Sequence, residues 1–382
     1  MTTSHPIIRG GSGSGDVLGR RALNRALLER QMLLRRSELS AFAAIEHLVG
    51  MQAQSPLAPY VGLWTRLEGF QPDELVRLMY DREVVRIALM RNTVHLVTAE
   101  DCLTLRPLTQ VIFDRDLRVN TTFAPRLRGM DIGALTAAGR ALVEERPRTN
   151  KELGALLRER WPDRDAASLV FAIRSQVPLV QVPPRGIWGK GGQVRCTSAE
   201  AWLGRPLHTD PSPEDMVMRY LGAFGPATVK DIQQWCGLTR LRDVVERLRP
   251  RLMTFHDEAG KELFDLPDAP RPHPDTPAPV RFLPEYDNLF VSHADRSRVI
   301  SESDLKTLRA TERLVRGSVL VDGFFHGLWQ IRRQRGVATL HIESYGPLSN
   351  RDRNAVVEEG EHLLKFAASD AKACKIEFAL RT

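Results

Sequence analysis

The 382-residue chain has no apolar run approaching the roughly 18 residues that cross a bilayer as a helix, so no membrane contact is expected. Its first residues, MTTSHPIIRGGSGSGD, lack the apolar core of a secretory signal, which predicts a cytoplasmic protein. Cysteine is scarce. Cys102, Cys196, Cys236 and Cys374 lie far apart, with no C-x-x-C pair and no Cys/His cluster. That spacing excludes a zinc site or a disulfide framework and leaves buried thiols as the plain reading. Also absent are the G-x-S-x-G elbow, the Walker loop, the H-E-x-x-H helix and a G-x-G-x-x-G turn after a strand. Serine-hydrolase, P-loop, zinc-protease and dinucleotide chemistry are thereby disfavoured, and neither a metal nor a cofactor is expected. Lysine is rare as well: arginine supplies most of the 54 basic residues, in a chain of net charge +7 and pI near 9.5. An arginine-rich surface suits bidentate phosphate contacts, although a GC-rich genome would give the same bias.

What is present is a repeat. PRTNKELGALL (147–157) and PATVKDIQQWC (226–236) share the pattern P-x-T-x-K-[DE]-[LI]. Thr149 and Thr228 are placed as helix N-caps with Glu152 and Asp231 three residues on, the first a full capping box and the second a shortened one. Each copy follows an amphipathic helix (134–145 and 214–224) and precedes a second helix (164–176 and 239–252). Each then ends in a hairpin candidate, turning through Pro-Pro-Arg-Gly and Lys-Gly-Gly in the first and Glu-Ala-Gly-Lys in the second. Helix, capped helix, basic helix and hairpin is the order of a winged helix. A third copy is expected nearer the N-terminus. It comprises a Ser-capped helix in SELSAFAAIEHLVGM, a Pro-initiated helix in QPDELVRLMYDRE and a hairpin about Arg91-Asn92.

The chain therefore divides into a disordered leader or over-extended start (1–17), winged helix 1 with an inserted segment (18–128), winged helix 2 (129–208) and winged helix 3 (209–270). After the Pro-rich linker at 265–280, residues 271–382 read as a C-terminal α+β module with short alternating strands and one helix. The fold class is α+β: three tandem winged helix-turn-helix units and a β-rich module.

Within the first unit, GMQAQSP places Gln52 and Gln54 either side of one small residue. If the chain is extended there, both amides face one side and together orient a water or a ligand edge; as a helix end, they are a cap and loop latch. Neither can act as a strong general base. His293, Asp295 and Arg296 in HADR form either an ion-paired turn or an accessory site, and Asp287 in PEYDN either orders its loop or joins that site.

Four separated blocks, LVGMQAQSPLAPYVGLWTRLEGF, VVRIALMRNTVHLVTAED, LPEYDNLFVSHADRSRVI and VLVDGFFHGLW, resemble the bacterial winged-helix DNA glycosylases of the AlkZ type. The resemblance implies excision of N7-alkylated purines and unhooking of interstrand crosslinks, for DNA repair and self-resistance to a genotoxic alkylating natural product. It implies a concave DNA-binding scaffold with double-stranded DNA as partner, and hence association with the nucleoid. The lack of a dimer helix favours a monomer, and the lack of an evident Schiff-base lysine near the motif argues against a coupled lyase. The family's catalytic motif is Gln-x-Gln or Gln-x-Asp, matched residue by residue by Gln52-Ala53-Gln54, so the resemblance assigns these two as catalytic.

Phosphate contacts are expected from Arg91, Arg174, Arg185, Lys190, Arg240 and Arg242 on wings and second helices. Phe324, Phe325 and His326 are expected at a hairpin turn, with Arg332 and Arg333 on the same strand. Two exposed aromatics there would probe the minor groove or fill space at a lesion; the alternative buries both under the C-terminal helix. A non-enzymatic winged-helix regulator is the main rival reading and a drug-sequestering protein another. A regulator matched to a palindrome calls for a dimer helix, and no heptad pattern supplies one.

Overall fold

A computed structural model of the chain describes residues 16–310 and 316–381. The first described residues already belong to the fold: β1 (Val17–Leu18) pairs in parallel with His256 and Asp257. Ordered structure thus begins inside the expected leader, and residues 1–15, with the Gly/Ser run, lie outside the described residues. Then follow α1 (Arg20–Arg30) and α2 (Ala41–His47), whose N-cap Ser40 accepts from the Ala43 amide as its sequence signal predicted. A two-residue strand β2 (Met51–Gln52) leads to α3 (Ala58–Trp64) and then α4 (Pro72–Tyr80), which has Pro at its first turn. The expected hairpin is present as β3 (Val84–Ala88) and β4 (Val94–Thr98), closing through Arg91 and Asn92, both at positive φ.

The long α5 (Ala99–Val119) crosses to α6 (Ile132–Glu145), α7 (Asn150–Arg160) and α8 (Ala166–Gln176), which bury a cluster around Leu135, Leu153, Leu169 and Ile173. Strands β5 (Leu179–Gln181) and β6 (Cys196–Ser198) form the next hairpin. It does not stand alone. β3 pairs with β5, giving one five-stranded sheet in the order β2-β4-β3-β5-β6 that runs across the expected boundary at 128/129. Alternation explains the joining: Ile87 and Val180, both fully buried, sit opposite each other at the seam.

The next unit comprises α9 (Ala199–Leu203), α10 (Pro213–Phe224), α11 (Val229–Cys236), α12 (Arg242–Leu248) and a hairpin of β7 (Met253–Asp257) and β8 (Glu262–Asp265). The repeat is plain in atomic detail. Thr149 and Thr228 both make reciprocal capping boxes, so the second is as complete as the first. In each copy the residue just before the cap bridges to the unit's hairpin, Arg148 to Cys196 and Ala227 to Phe264.

Past the linker, β9 (Arg281–Leu283), α13 (Glu302–Ala310), β10 (Gly317–Val321), β11 (Phe324–Gln334), β12 (Val337–Ser344), α14 (Asn350–Ala367) and β13 (Ala373–Leu380) complete the α+β architecture. Their sheet runs β13-β12-β11-β10-β9 and packs on α14 through Phe282, Leu340, Val356 and Leu363. The aromatic turn expected at 324–326 does not form, because the chain turns at Asp322-Gly323, both at positive φ, and Phe324 already opens β11. Strand alternation then separates the two rings. Phe325 is buried edge-on against Phe290 and Tyr345, at 6.0 and 5.0 Å between centroids, and not under the C-terminal helix. Phe324 is half-buried beneath the Arg20 guanidinium at 4.9 Å, and His326 is half-buried.

Candidate active site

The glutamine motif owes its placement to a sharp reversal after α2. Val49 and Gly50 both adopt positive φ, and their amides return to Glu46 and Ile45. At Gly50 a side chain is excluded: a Cβ would lie 2.4 Å from Val97 Cγ1, so only glycine lets the chain leave the helix this close to the sheet. The chain then pairs with β4, Met51 opposite Leu96 and Gln52 opposite His95, and the Ala53 amide donates to the Val94 carbonyl at 2.7 Å. Extension through Ala53 puts the two glutamine side chains on one side, and they meet: Gln52 Nε2 donates to Gln54 Oε1 at 3.2 Å. Gln52 is buried and Gln54 exposed, so the pair runs from the interior to the surface.

Arg91 holds the inner end. Its Nη2 donates to Gln52 Oε1 at 2.9 Å and faces Asn288 Oδ1 at 3.5 Å, while Nη1 donates to the Trp235 carbonyl. Asn288 in turn donates to the Gly50 carbonyl at 3.2 Å, tying the linker-proximal loop to the reversal. Burial lowers the Arg91 pKa to about 10, offset in part by Cys236 and reinforced by repulsion from Arg296, so it stays charged at neutral pH. Arg91 was expected on a DNA-facing wing; the structure turns its guanidinium inward instead. Sequence reasoning did not single out Asn288, although it lies in a quoted block.

Two further groups escaped the sequence reading. Arg86, in the middle of an apolar strand, is 2% exposed and donates to the Ala53 carbonyl at 2.7 Å, bracing the motif from behind. Burial, with repulsion from Arg185, brings its pKa down to about 10. His95 is fully buried across from Gln52, with Nδ1 on the Thr93 carbonyl at 2.9 Å and Nε2 without a partner. Burial, then the Arg91 charge, hold it down at about 3, so it is neutral. In both cases the signal was a polar residue in an apolar alternating strand.

Beneath the motif, Arg66 and Asp287 form a buried two-pronged ion pair, both contacts 2.9 Å, with the Leu289 amide also on Asp287. Asp287 therefore orders its loop. His293 is buried between Ser292 Oγ and the Phe224 carbonyl, and its pKa is pushed down, chiefly by burial. Asp295 caps the Ser297 amide and reaches Lys261 at 3.4 Å. Arg296 accepts at its carbonyl from Val299 and Ile300. The HADR segment is thus a folded turn, and neither His293 nor Asp295 makes a hydrogen bond to Gln52 or Gln54. Glu285, with its pKa raised by burial, has none to them either. A cavity of about 10 Å³ beside Gln52, lined by Gln31, Arg66 and Asn288 among others, holds about one water and no nucleobase.

The remaining basic candidates occupy separate elements. Arg174 lies exposed on α8, Arg240 and Arg242 exposed at the start of α12, and half-buried Arg185 and exposed Lys190 in the β5–β6 connection. Arg332 and Arg333 end β11, the latter paired with Asp370 at 2.7 Å. Among the described residues there is no His/Cys/Asp/Glu group suited to a metal, and no helix long and apolar enough to cross a membrane.

A family model described as DNA glycosylase AlkZ-like matches residues 45–366. The interstrand DNA cross-link repair glycosylase of Streptomyces sahachiroi is 22% identical over 366 residues, spanning 88% of this chain and 94% of that protein. The solved structure of the DNA glycosylase AlkZ of the same organism superposes with a TM-score of 0.76 at 20% identity, over 95% of this chain and all of that one. At that distance the chain is a relative of the Streptomyces protein, not the same protein. With a match that spans most of its length and contains the amide pair, the chain belongs to the AlkZ-like DNA glycosylase family.

Proposed function

We propose that the protein is a monofunctional DNA glycosylase that hydrolyses the N-glycosidic bond of N7-alkylated purines in duplex DNA, including the unhooking of interstrand crosslinks. Three winged-helix units and the C-terminal module form its DNA-binding scaffold, and it acts as a monomer without a cofactor. The observation that carries this reading is the joined amide pair, anchored inside and open outside, within a family-wide match.

An N7-alkylguanine already carries positive charge, so its departure needs no enzyme acid. What remains is to place a water at C1′ on the face opposite the leaving base and to stabilise an oxocarbenium-like sugar. Gln52 Nε2 has one N–H committed to Gln54 and a second to offer; Gln54 Oε1 has a second lone pair. A water accepting from the first and donating to the second is left with a lone pair to aim at C1′. Amide dipoles fixed before substrate arrives stabilise the developing charge without reorganisation, which is where orientation and preorganised electrostatics act. The nucleotide approaches from the Gln54 side, because the cavity behind Gln52 is too small for a base. Undamaged guanine, a poor leaving group, is spared for lack of a strong acid.

The direct test is purified protein with a duplex containing one N7-methylguanine, followed by chromatography of free base. Release by the wild type and its loss in Gln52→Ala and Gln54→Ala are expected. Tight sequence-specific binding without release would instead indicate a regulator.

A further inference from the structure

We infer that Arg91 is a positioning residue that sets the polarity of the glutamine pair, an inference that rests on the glycosylase reading above. The oxygen and nitrogen ends of a primary amide are nearly the same size, so packing alone does not choose between the two flips of Gln52 or Gln54. The choice is made by hydrogen bonding. A guanidinium offers donors only, and with Nη2 at 2.9 Å it obliges Gln52 to present its oxygen. Gln52 then turns its NH2 outward, and Gln54 must answer with its oxygen at 3.2 Å. One half-buried cation thereby settles two binary choices in sequence, and with them the place of donor and acceptor at the water seat. A chain of this kind also polarises each successive bond.

The guanidinium is itself held against rotation. Nη1 is committed to the Trp235 carbonyl, and Asn288 Oδ1 stands 3.5 Å from Nη2. Asn288 cannot flip without losing its bond to the Gly50 carbonyl. The residue sits at φ 56°, a left-handed conformation that an arginine adopts only when its surroundings enforce it. Among the described residues no carboxylate forms an ion pair with Arg91, and its acceptors are neutral amides and a backbone carbonyl. An acid there would draw the guanidinium away from Gln52. The neutral surroundings therefore direct its charge at the pair.

This role predicts a defect in the chemical step and not in DNA binding. Base release from an N7-methylguanine duplex is measured in single turnover with saturating enzyme, alongside DNA affinity at several salt concentrations. Arg91→Met is expected to lower the rate constant on the order of 100-fold, as misplacement of a reacting group does, with affinity and salt slope unchanged. Arg91→Lys, still a pure donor, should regain at least about ten-fold of that loss, and millimolar guanidinium should partly restore Arg91→Ala. If Arg91→Met fails to fold, Asn288→Asp serves instead: a carboxylate beside Arg91 should pull it from Gln52 and slow release in a protein that still binds DNA. The inference is overturned if the folded variants keep the wild-type rate. It is equally overturned if affinity and salt slope fall while the saturated rate stays, which would make Arg91 a phosphate contact. A wild type that releases no base would sink the glycosylase reading itself, a different outcome.

Discussion

Replacing Asp287 by Asn tests whether the ion pair under the motif is scaffold or chemistry. The side chains of Arg66 and Asp287 are 2% and 3% exposed and meet through two 2.9 Å contacts. In Asp287→Asn the amide oxygen still accepts from the Leu289 amide and Arg66 Nη2, but its NH2 replaces the oxygen that faced Arg66 Nη1. The guanidinium is left with that amide oxygen, the Gly62 carbonyl at 3.0 Å and Gln31 Oε1 at 3.3 Å, all of them neutral. An uncompensated buried charge of this kind costs about 3–5 kcal/mol, a large part of the roughly 5–15 kcal/mol that holds a typical protein folded. Adding Arg66→Met removes that charge, and the double variant should return to within about 2 kcal/mol of the wild type, since isosteric apolar replacement of a buried pair is often near neutral. Urea denaturation of wild type, both single variants and the double completes the cycle. A loss below about 1 kcal/mol in Asp287→Asn, or a double variant as unstable as the two singles summed, would refute the argument. Base release by the folded double variant should stay near wild type, because neither group bonds to Gln52 or Gln54. A folded but inactive double variant would give Asp287 a chemical role.

His95 has an unfolded pKa near 6.5 and a folded one of about 3, lowered first by burial and then by Arg91, so the unfolded chain binds the extra proton between those values. Its contribution to stability is complete above pH 6.5 and is lost as pH falls, by about 1.4 kcal/mol per unit and ~2 kcal/mol at pH 5; His95→Asn should flatten the stability–pH curve by about one proton's slope. Phe325→Ala should cost about 3–5 kcal/mol by emptying the space between Phe290 and Tyr345. Phe324→Ala should cost about 1 kcal/mol, the scale of its exposed stacking with Arg20; denaturation midpoints check both. Arg174→Ala, Arg240→Ala and Arg242→Ala should each weaken DNA binding alike on all sequences and reduce the salt slope by about one, read by titration at several ionic strengths.

The capped helices and all three hairpins were legible because their signals are local: Thr149 and Thr228 with acids three residues on, Gly-containing turns, alternating strands. A spacing of two puts the Gln52 and Gln54 amides on one side only if the chain is extended there, and the sequence left a helix-end cap open beside that; pairing with β4 decides for extension. What was not legible depends on partners distant in sequence. Nothing near residue 91 says that its guanidinium will find Gln52, Trp235 and Asn288 and turn away from solvent. The joining of β3 to β5 pairs residues about 95 apart, and only the burial of both Ile87 and Val180 makes it favourable. The turn at Asp322-Gly323 was locally marked by glycine, yet two adjacent phenylalanines drew the reading onto themselves. Alternation along β11 then assigned the two rings to different environments.

The sheet shared between the first two units bears on how such a chain can vary. The strand carrying Gln52 is two residues long, and its alignment is inherited from β4, which is aligned by β3, which is flanked by β5 of the following unit. Removing residues 129–208 would therefore not detach a cassette; it would bare the edge of β3 and take Gln181 from beside Arg86. Between β5 and β6 the chain is pinned where Gly186 and Trp188 bond to the Tyr60 hydroxyl and Ile187 is buried, so a length change leaves the ladder intact only in the exposed stretch 189–193. A one-residue slip at Leu179–Gln181 would shift the seam against Arg86, whose bond to Ala53 sits between the two glutamines. Length is thus free to change in that short exposed stretch while the strands on either side of it stay fixed.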